Sequence, residues 1–169
     1  MSTYDLILRG GALVSHSGEG LGDIGVRAGK IAAIGDLGQA SGPVFDAKGL
    51  HILPGVIDTQ VHFREPGNPQ KEDLESGTRA AALGGVTAIF EMPNTAPPTT
   101  NEQAIADKFA RAKGRAQVDH AFYVGATHEN ASMLGELERL PGVCGVKTFM
   151  GSSTGTLLVG DDDGLDHIV

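Results

Sequence analysis

Tryptophan is absent, cysteine occurs once, and aromatic residues make up only 5% of the 169 residues. A single thiol, Cys144, cannot close an internal disulfide, which excludes the stapled architecture of small secreted domains and makes a reducing, cytoplasmic setting the expectation. No apolar run approaches the roughly 18 residues that a membrane-spanning helix requires. The opening Met-Ser-Thr-Tyr-Asp-Leu-Ile-Leu-Arg has no basic flank ahead of an apolar stretch, so neither a leader nor an anchor is expected. Basic charge is scarce as well: 13 Lys+Arg stand against 21 Asp+Glu, a formal net charge of −8, which disfavours nucleic acid and anionic membranes as partners. What remains is ordinary core-forming chemistry, with 40% hydrophobic and 20% charged residues and a mean hydropathy of −0.06. Glycine, at 25 residues, is about twice its usual share of ~7% and implies many tight turns.

The chain divides by pattern at Leu53-Pro54-Gly55. Residues 1–54 carry short β-type runs, Leu6-Ile7-Leu8, Ala12-Leu13-Val14, Ile24-Gly25-Val26, Ile31 to Ile34 and His51-Ile52-Leu53, separated by glycine-rich turns at the spacing of a small antiparallel sheet or sandwich. A hairpin is expected at Gly29-Lys30. In residues 55–169 strand-like runs alternate with helical ones, the signature of βα units on a parallel sheet. Strands are expected from Val56 to Asp58, Val86 to Glu91, Val118 to Val124 and Val143 to Met150. Helices are expected from Asp73 to Leu83, from an Asn101 cap to Lys113, from Ala131 to Leu140, and after an Asp163 cap. Four such units at about thirty residues each make half of an eight-stranded barrel, and a closed barrel of ~250 residues exceeds this length. The fold expected is therefore α/β: a β-sandwich segment (1–54) followed by the first half of a TIM-type (β/α)8 barrel (55–169), too short to close.

Three constellations could carry chemistry. The densest runs from Asp58 through Gln60, His62 and Arg64 to Gly67, at the end of the first parallel strand. Alternate side chains of a strand share a face, so Asp58, Gln60, His62 and Arg64 line up on one side and Thr59, Val61 and Phe63 on the other. Polar residues gathered at a strand's C-terminal end are what a barrel active site looks like. The second, Glu91-Met92-Pro93-Asn94-Thr95, follows the second strand in a proline-stiffened loop where Asn94 either satisfies backbone groups or faces a ligand. The third runs from Val146-Lys147 to Ser152-Ser153. A lysine inside an apolar strand costs desolvation unless it is paired or neutral, and a neutral amine can add carbon dioxide to become a metal-bridging carbamate. The alternative is a lysine snorkelling from a strand end. His120 and His128, like His16, His51 and His167, read as surface or loop residues, Cys144 as a small core residue, and Asp161-Asp162-Asp163 as a solvated loop with a helix cap.

Gly55-Val56-Ile57-Asp58 through Gly67 resembles the first-strand signature of the amidohydrolase superfamily, and its Arg-Glu-Pro-Gly tail and the Met-Pro-Asn-Thr segment are similar to those of dihydroorotases. The resemblance includes the lead-in strands and covers nearly the whole chain. It implies a zinc-dependent barrel enzyme with one or two divalent metals. His62 and a carboxylated Lys147 would hold metal, while Arg64 and Asn94 would clamp a substrate carboxylate; an uncharged hydantoin ring has less use for the arginine. Gln60 stands where the family pattern has a histidine, and a carboxamide oxygen is a poor zinc donor. No catalytic base is carried by this chain on that pattern; the remaining ligand histidines and the base are expected beyond Val169. The activity implied is dihydroorotase, interconverting dihydroorotate and N-carbamoyl-aspartate in pyrimidine synthesis by metal-assisted attack of water on the ring amide, with the isolated piece inactive. The alternatives are allantoinase or dihydropyrimidinase chemistry, or a non-catalytic subunit scaffolding aspartate transcarbamoylase, for which Gln60 is the best support. A small-molecule substrate and a homo-oligomeric full-length protein are the expected partners.

Overall fold

Residues 2–152 and 157–168 are described by a computed structural model, in two compact units, Met1–Pro54 and Gly55–Val169. In the first, the two leading apolar runs prove to be one strand. β1 (Leu6–Ser15) crosses Gly10-Gly11 with a register shift against β2 (Gly18–Arg27), and Gly10 takes φ 72° there, a conformation open to a residue without Cβ. The buried Asp23 carboxylate accepts the Gly10 N–H at 2.8 Å and the Leu37 N–H at 3.1 Å, which pins the irregularity. β3 (Lys30–Gly35) pairs antiparallel with β2 through a turn centred one residue earlier than expected, on Ala28-Gly29, both at positive φ. β4 (Val44–Asp46), which the sequence reading missed, and β5 (His51–Ile52) both join β1 in parallel, so this mixed sheet is antiparallel only across β3-β2-β1.

The second unit is a parallel sheet of β6 (Val56–Val61), β7 (Val86–Glu91), β8 (Asp119–Gly125) and β9 (Val143–Lys147) in sequential order, the half-barrel expected. α1 (Leu74–Leu83) begins at a capping box in which Asp73 accepts the Ser76 N–H at 2.7 Å and the Ser76 hydroxyl accepts the Asp73 N–H at 3.3 Å. α2 (Glu102–Ala112) begins where Asn101 Oδ1 accepts the Ala104 N–H at 2.9 Å. Expected helix 131–140 shrinks to a 3-10 turn, Ala131–Met133, and α3 (Leu134–Leu137). β9 stops at Lys147, three residues short of the expected Met150. α4 (Asp162–Ile168) is capped by Asp161, not Asp163: its carboxylate accepts the Gly164 N–H at 2.8 Å.

The core lies between the sheet and its helices. Phe63, Leu74, Ile89, Ala112 and Phe122 form one buried cluster, and Ile105, Val124, Ala126, Leu134 and Leu137 form another. Gly77 on α1 lets Phe63 seat against the helix, since a Cβ there would collide with the Phe63 ring. Phe63, just past the end of β6, is buried on the helix side between the half-buried His62 and Arg64.

Candidate active site

His62, Asn94 and Lys147 come from the C-terminal ends of β6, β7 and β9, and Arg64 follows two residues after His62. His62 Nδ1 lies 2.9 Å from Asn94 Oδ1. A carboxamide oxygen only accepts, so Nδ1 carries the proton and Nε2 keeps the lone pair. Burial holds the imidazole pKa below its ordinary value; the Asn94 hydrogen bond opposes this, and the cations Arg64, Lys147 and Lys108 reinforce it. His62 and Asn94 are thus joined directly, while Arg64 and Lys147 reach the imidazole through their charge. Arg64 and Asn94 also line a common cleft of about 380 Å³ with Pro66, Asn68, Lys71 and Thr95, in which Arg64 and Lys71 supply positive charge. Neither His62 nor Lys147 is part of that cleft's wall. Lys147 ends β9 half-buried, with Nζ 5.3 Å from the centre of the Phe149 ring. Gln60 is exposed, its N–H donating to Asp58 Oδ1 at 3.0 Å. Ser153, at the end of the third constellation, lies outside the described residues.

The two loops that frame the cleft are sewn together by backbone. Met92 N–H donates to Val61 O at 3.0 Å and Ala96 N–H to Pro66 O at 3.1 Å. Gly67, at φ 111°, makes the second junction feasible, because a Cβ there would lie 2.6 Å from Ala96 Cβ and 2.8 Å from Ala96 O. Glu65 in the same loop is buried and does structural duty. Its carboxylate takes two bonds from Arg115, 2.8 and 3.1 Å, and one from the Leu74 N–H at 3.1 Å, at the start of α1. Burial pushes the Glu65 carboxyl up, but Arg115, Leu74 and Arg111 outweigh it and hold the pKa below the usual range.

Beneath the second loop lies a pair that the sequence reading did not single out. Glu91, the last residue of β7, is fully inaccessible and accepts from Lys108 Nζ of α2 at 2.9 Å; the same ammonium donates to Met92 O at 3.2 Å. Burial drives the Glu91 carboxyl up to about 7 against the pull of Lys108, and drives Lys108 down. The signal was present: Lys108 falls three residues after Ile105 and four before Ala112, on the apolar face of α2, and Glu91 shares the inward face of β7 with Ile89.

The remaining candidates divide. His120 is not a surface or loop residue but a half-buried member of β8, its ring 6.1 Å from that of Phe109 and 5.7 Å from that of Phe122. His128 is exposed, with Nε2 3.1 Å from Asp161 Oδ2. Cys144 is half-buried in β9, and burial raises its thiol to about 11, which leaves it unreactive.

Residues 49–151 match the dihydro-orotase-like family. The chain belongs to that family. It is 46% identical to an allantoinase of Rubrobacter xylanophilus over 92% of its own length and 34% of the relative's, and 43% identical to an Escherichia coli allantoinase over 88% and 33%. The L-hydantoinase (dihydropyrimidinase) of Arthrobacter aurescens superposes with a TM-score of 0.89 at 34% identity, covering 98% of this chain and 37% of that one. The chain thus spans about a third of the length of the curated relatives it matches. Among the described residues no helix is long and apolar enough to cross a membrane.

The donor chemistry fits a divalent metal in part. His62 has Nε2 available as a nitrogen donor once Nδ1 is engaged by Asn94. Lys147 can ligate as a carbamate, and the Gln60 carboxamide suits zinc poorly. No group of three His, Cys, Asp or Glu gathers as a closed ligand set among the described residues.

Proposed function

We propose that the protein carrying this chain is a metal-dependent cyclic amidohydrolase that opens a hydantoin-type ring, with allantoin as the first candidate substrate. One observation carries this reading: within the broad dihydro-orotase-like family, the named curated relatives, 46% and 43% identical over 92% and 88% of the chain, are allantoinases. His62 and a carboxylated Lys147 would hold the metal. A divalent ion there supplies Lewis acidity to the scissile carbonyl and activates water. The chain's own residues bind and orient. Arg64 presents hydrogen-bond donors to the cleft that Asn94 also lines, and such donors suit the carbonyl oxygens of a ureide as well as a carboxylate. With its pKa lowered, His62 is neutral at neutral pH, the form in which an imidazole ligates.

Dihydroorotase is the second reading, favoured by the cations Arg64 and Lys71 beside Asn94 in one cleft. A scaffold for aspartate transcarbamoylase finds no counterpart among the named relatives, and a small molecule is the partner proposed. The test is ring opening by the full-length protein, offered allantoin, hydantoin, dihydropyrimidine and dihydroorotate in parallel, before and after chelation. A kcat/KM for allantoin about 100-fold above that for dihydroorotate, lost on chelation and restored by zinc, is expected. The reverse preference returns the dihydroorotase reading, and no turnover of any ring removes both.

A further inference from the structure

A buried lysine–glutamate pair is an expensive way to join a helix to a sheet, because two apolar residues of similar volume commonly do so with equal or greater stability. The Glu91–Lys108 pair is more costly than most: Glu91 Oε1 is buried without a hydrogen-bond partner among the described residues, while its other oxygen holds Lys108. Core stability alone does not explain its presence. Its position suggests what does. Lys108 Nζ donates at once to the side chain that ends β7 and to Met92 O, the first carbonyl of the loop beyond it. Two residues later the loop delivers Asn94 Oδ1 to His62 Nδ1. On the other side the Met92 N–H is tied to Val61 O, the residue before His62. The loop stem is thus fixed from the helix by one contact and from β6 by the other, and only the first depends on side chains.

We propose that Glu91 and Lys108 are positioning residues: by anchoring Met92 O they hold Asn94 against His62, and so keep the imidazole in the Nδ1–H tautomer with its Nε2 lone pair available to a ligand. Glu91 accepts a hydrogen bond from the Lys108 amine and so holds it where Met92 O can use it. Lys108 Nζ also lies 5.2 Å from the centre of the Phe122 ring of β8. The inference rests on His62 being a working residue of the site proposed above.

The test uses the full-length protein with 15N-labelled histidine. Its variants are Lys108→Arg, which keeps charge and donors, and the double replacement Glu91→Leu/Lys108→Met, which swaps the pair for apolar bulk. Thermal melting, the His62 tautomer from long-range 1H–15N correlation in metal-free protein, and kcat and KM for allantoin are measured on each. The double variant is expected to melt close to the parent, to show His62 as a mixture of tautomers, and to lose at least about tenfold in kcat with KM little changed, since an orientation defect acts on the reacting geometry. Lys108→Arg is expected to restore the parental tautomer. A double variant that melts normally and keeps both the Nδ1–H tautomer and the parental kcat overturns the proposal, leaving the pair a packing feature. Should the double variant not fold, Lys108→Gln decides: too short to reach Glu91 and Met92 O together, it should mix the tautomers, and an unchanged His62 spectrum overturns the proposal. The tautomer is read without substrate, so a full-length protein that opens no ring defeats the proposed function and leaves this inference to be judged on the spectrum.

Discussion

Two buried glutamates sit in neighbouring βα units, Glu65 in the loop after β6 and Glu91 at the end of β7, and burial pushes both carboxyls up, but their partners carry them to opposite outcomes. Glu65 is held by a bidentate arginine and a helix N–H, and its carboxyl stays below the ordinary range. Glu91 has one lysine and an oxygen left over, and its carboxyl rises to about 7. The difference lies in the number of donors each carboxylate finds once water is gone. The better satisfied residue secures the loop that carries Arg64; the poorly satisfied one lies under the loop that carries Asn94.

The comparison breaks most sharply at Lys108. Lys108→Met leaves Glu91 buried without its cation and should cost ~3–5 kcal/mol in urea unfolding. Next come the opposite pH dependences. Glu91 keeps a proton in the folded state that the unfolded chain sheds near 4.5, so its contribution makes stability fall as pH climbs from about 4.5 to about 7. Glu65 is the reverse: its contribution is present above 4.5 and is lost as pH drops through its lowered folded value. Urea midpoints across about pH 3 to 8 should therefore lose the neutral-side decline in Glu91→Gln and the acid-side loss in Glu65→Gln. If both variants flatten the same limb, the contrast between the two sites is wrong. Arg115→Ala should cost less than Lys108→Met, ~1–3 kcal/mol, because Arg115 is a third exposed and Glu65 retains Arg111 and the Leu74 N–H. Asn101→Ala, which removes the α2 cap and touches neither glutamate, should cost ~1 kcal/mol and leave both pH limbs in place, as a thermal-melt series at several pH values would record.

The parallel half-barrel was legible because its strands and helices differ in hydrophobic period, and Asn101 and Asp73 announced two helix starts in advance. Errors concentrated where a local signal was thin. β4 is three residues long and exposed, a pattern that periodicity cannot register. The run ending at Met150 looked like strand, yet pairing with β8 ends at Lys147 beside Gly125. At the site, His62 and Arg64 were singled out from residue type and position at a strand end, whereas Asn94 was left open between a turn residue and a ligand group until the family resemblance favoured the second. Glu65 was passed over because its partner, Arg115, is 50 residues away, a separation that no local motif encodes. Lys108 was visible on an apolar helix face, but a charged residue there is usually read as a solvated stem.

The seam at Gly67 and Ala96 has a consequence for altering what the cleft accepts. A Cβ at Gly67 would collide with Ala96, so that position has no room to grow, and the Ala96 N–H to Pro66 O bond ties the two loops by main chain. New selectivity must come from Asn68, Lys71 and Thr95, whose side chains line the walls. A library that randomises those three and leaves the glycine untouched searches the part of this scaffold that is free to diverge.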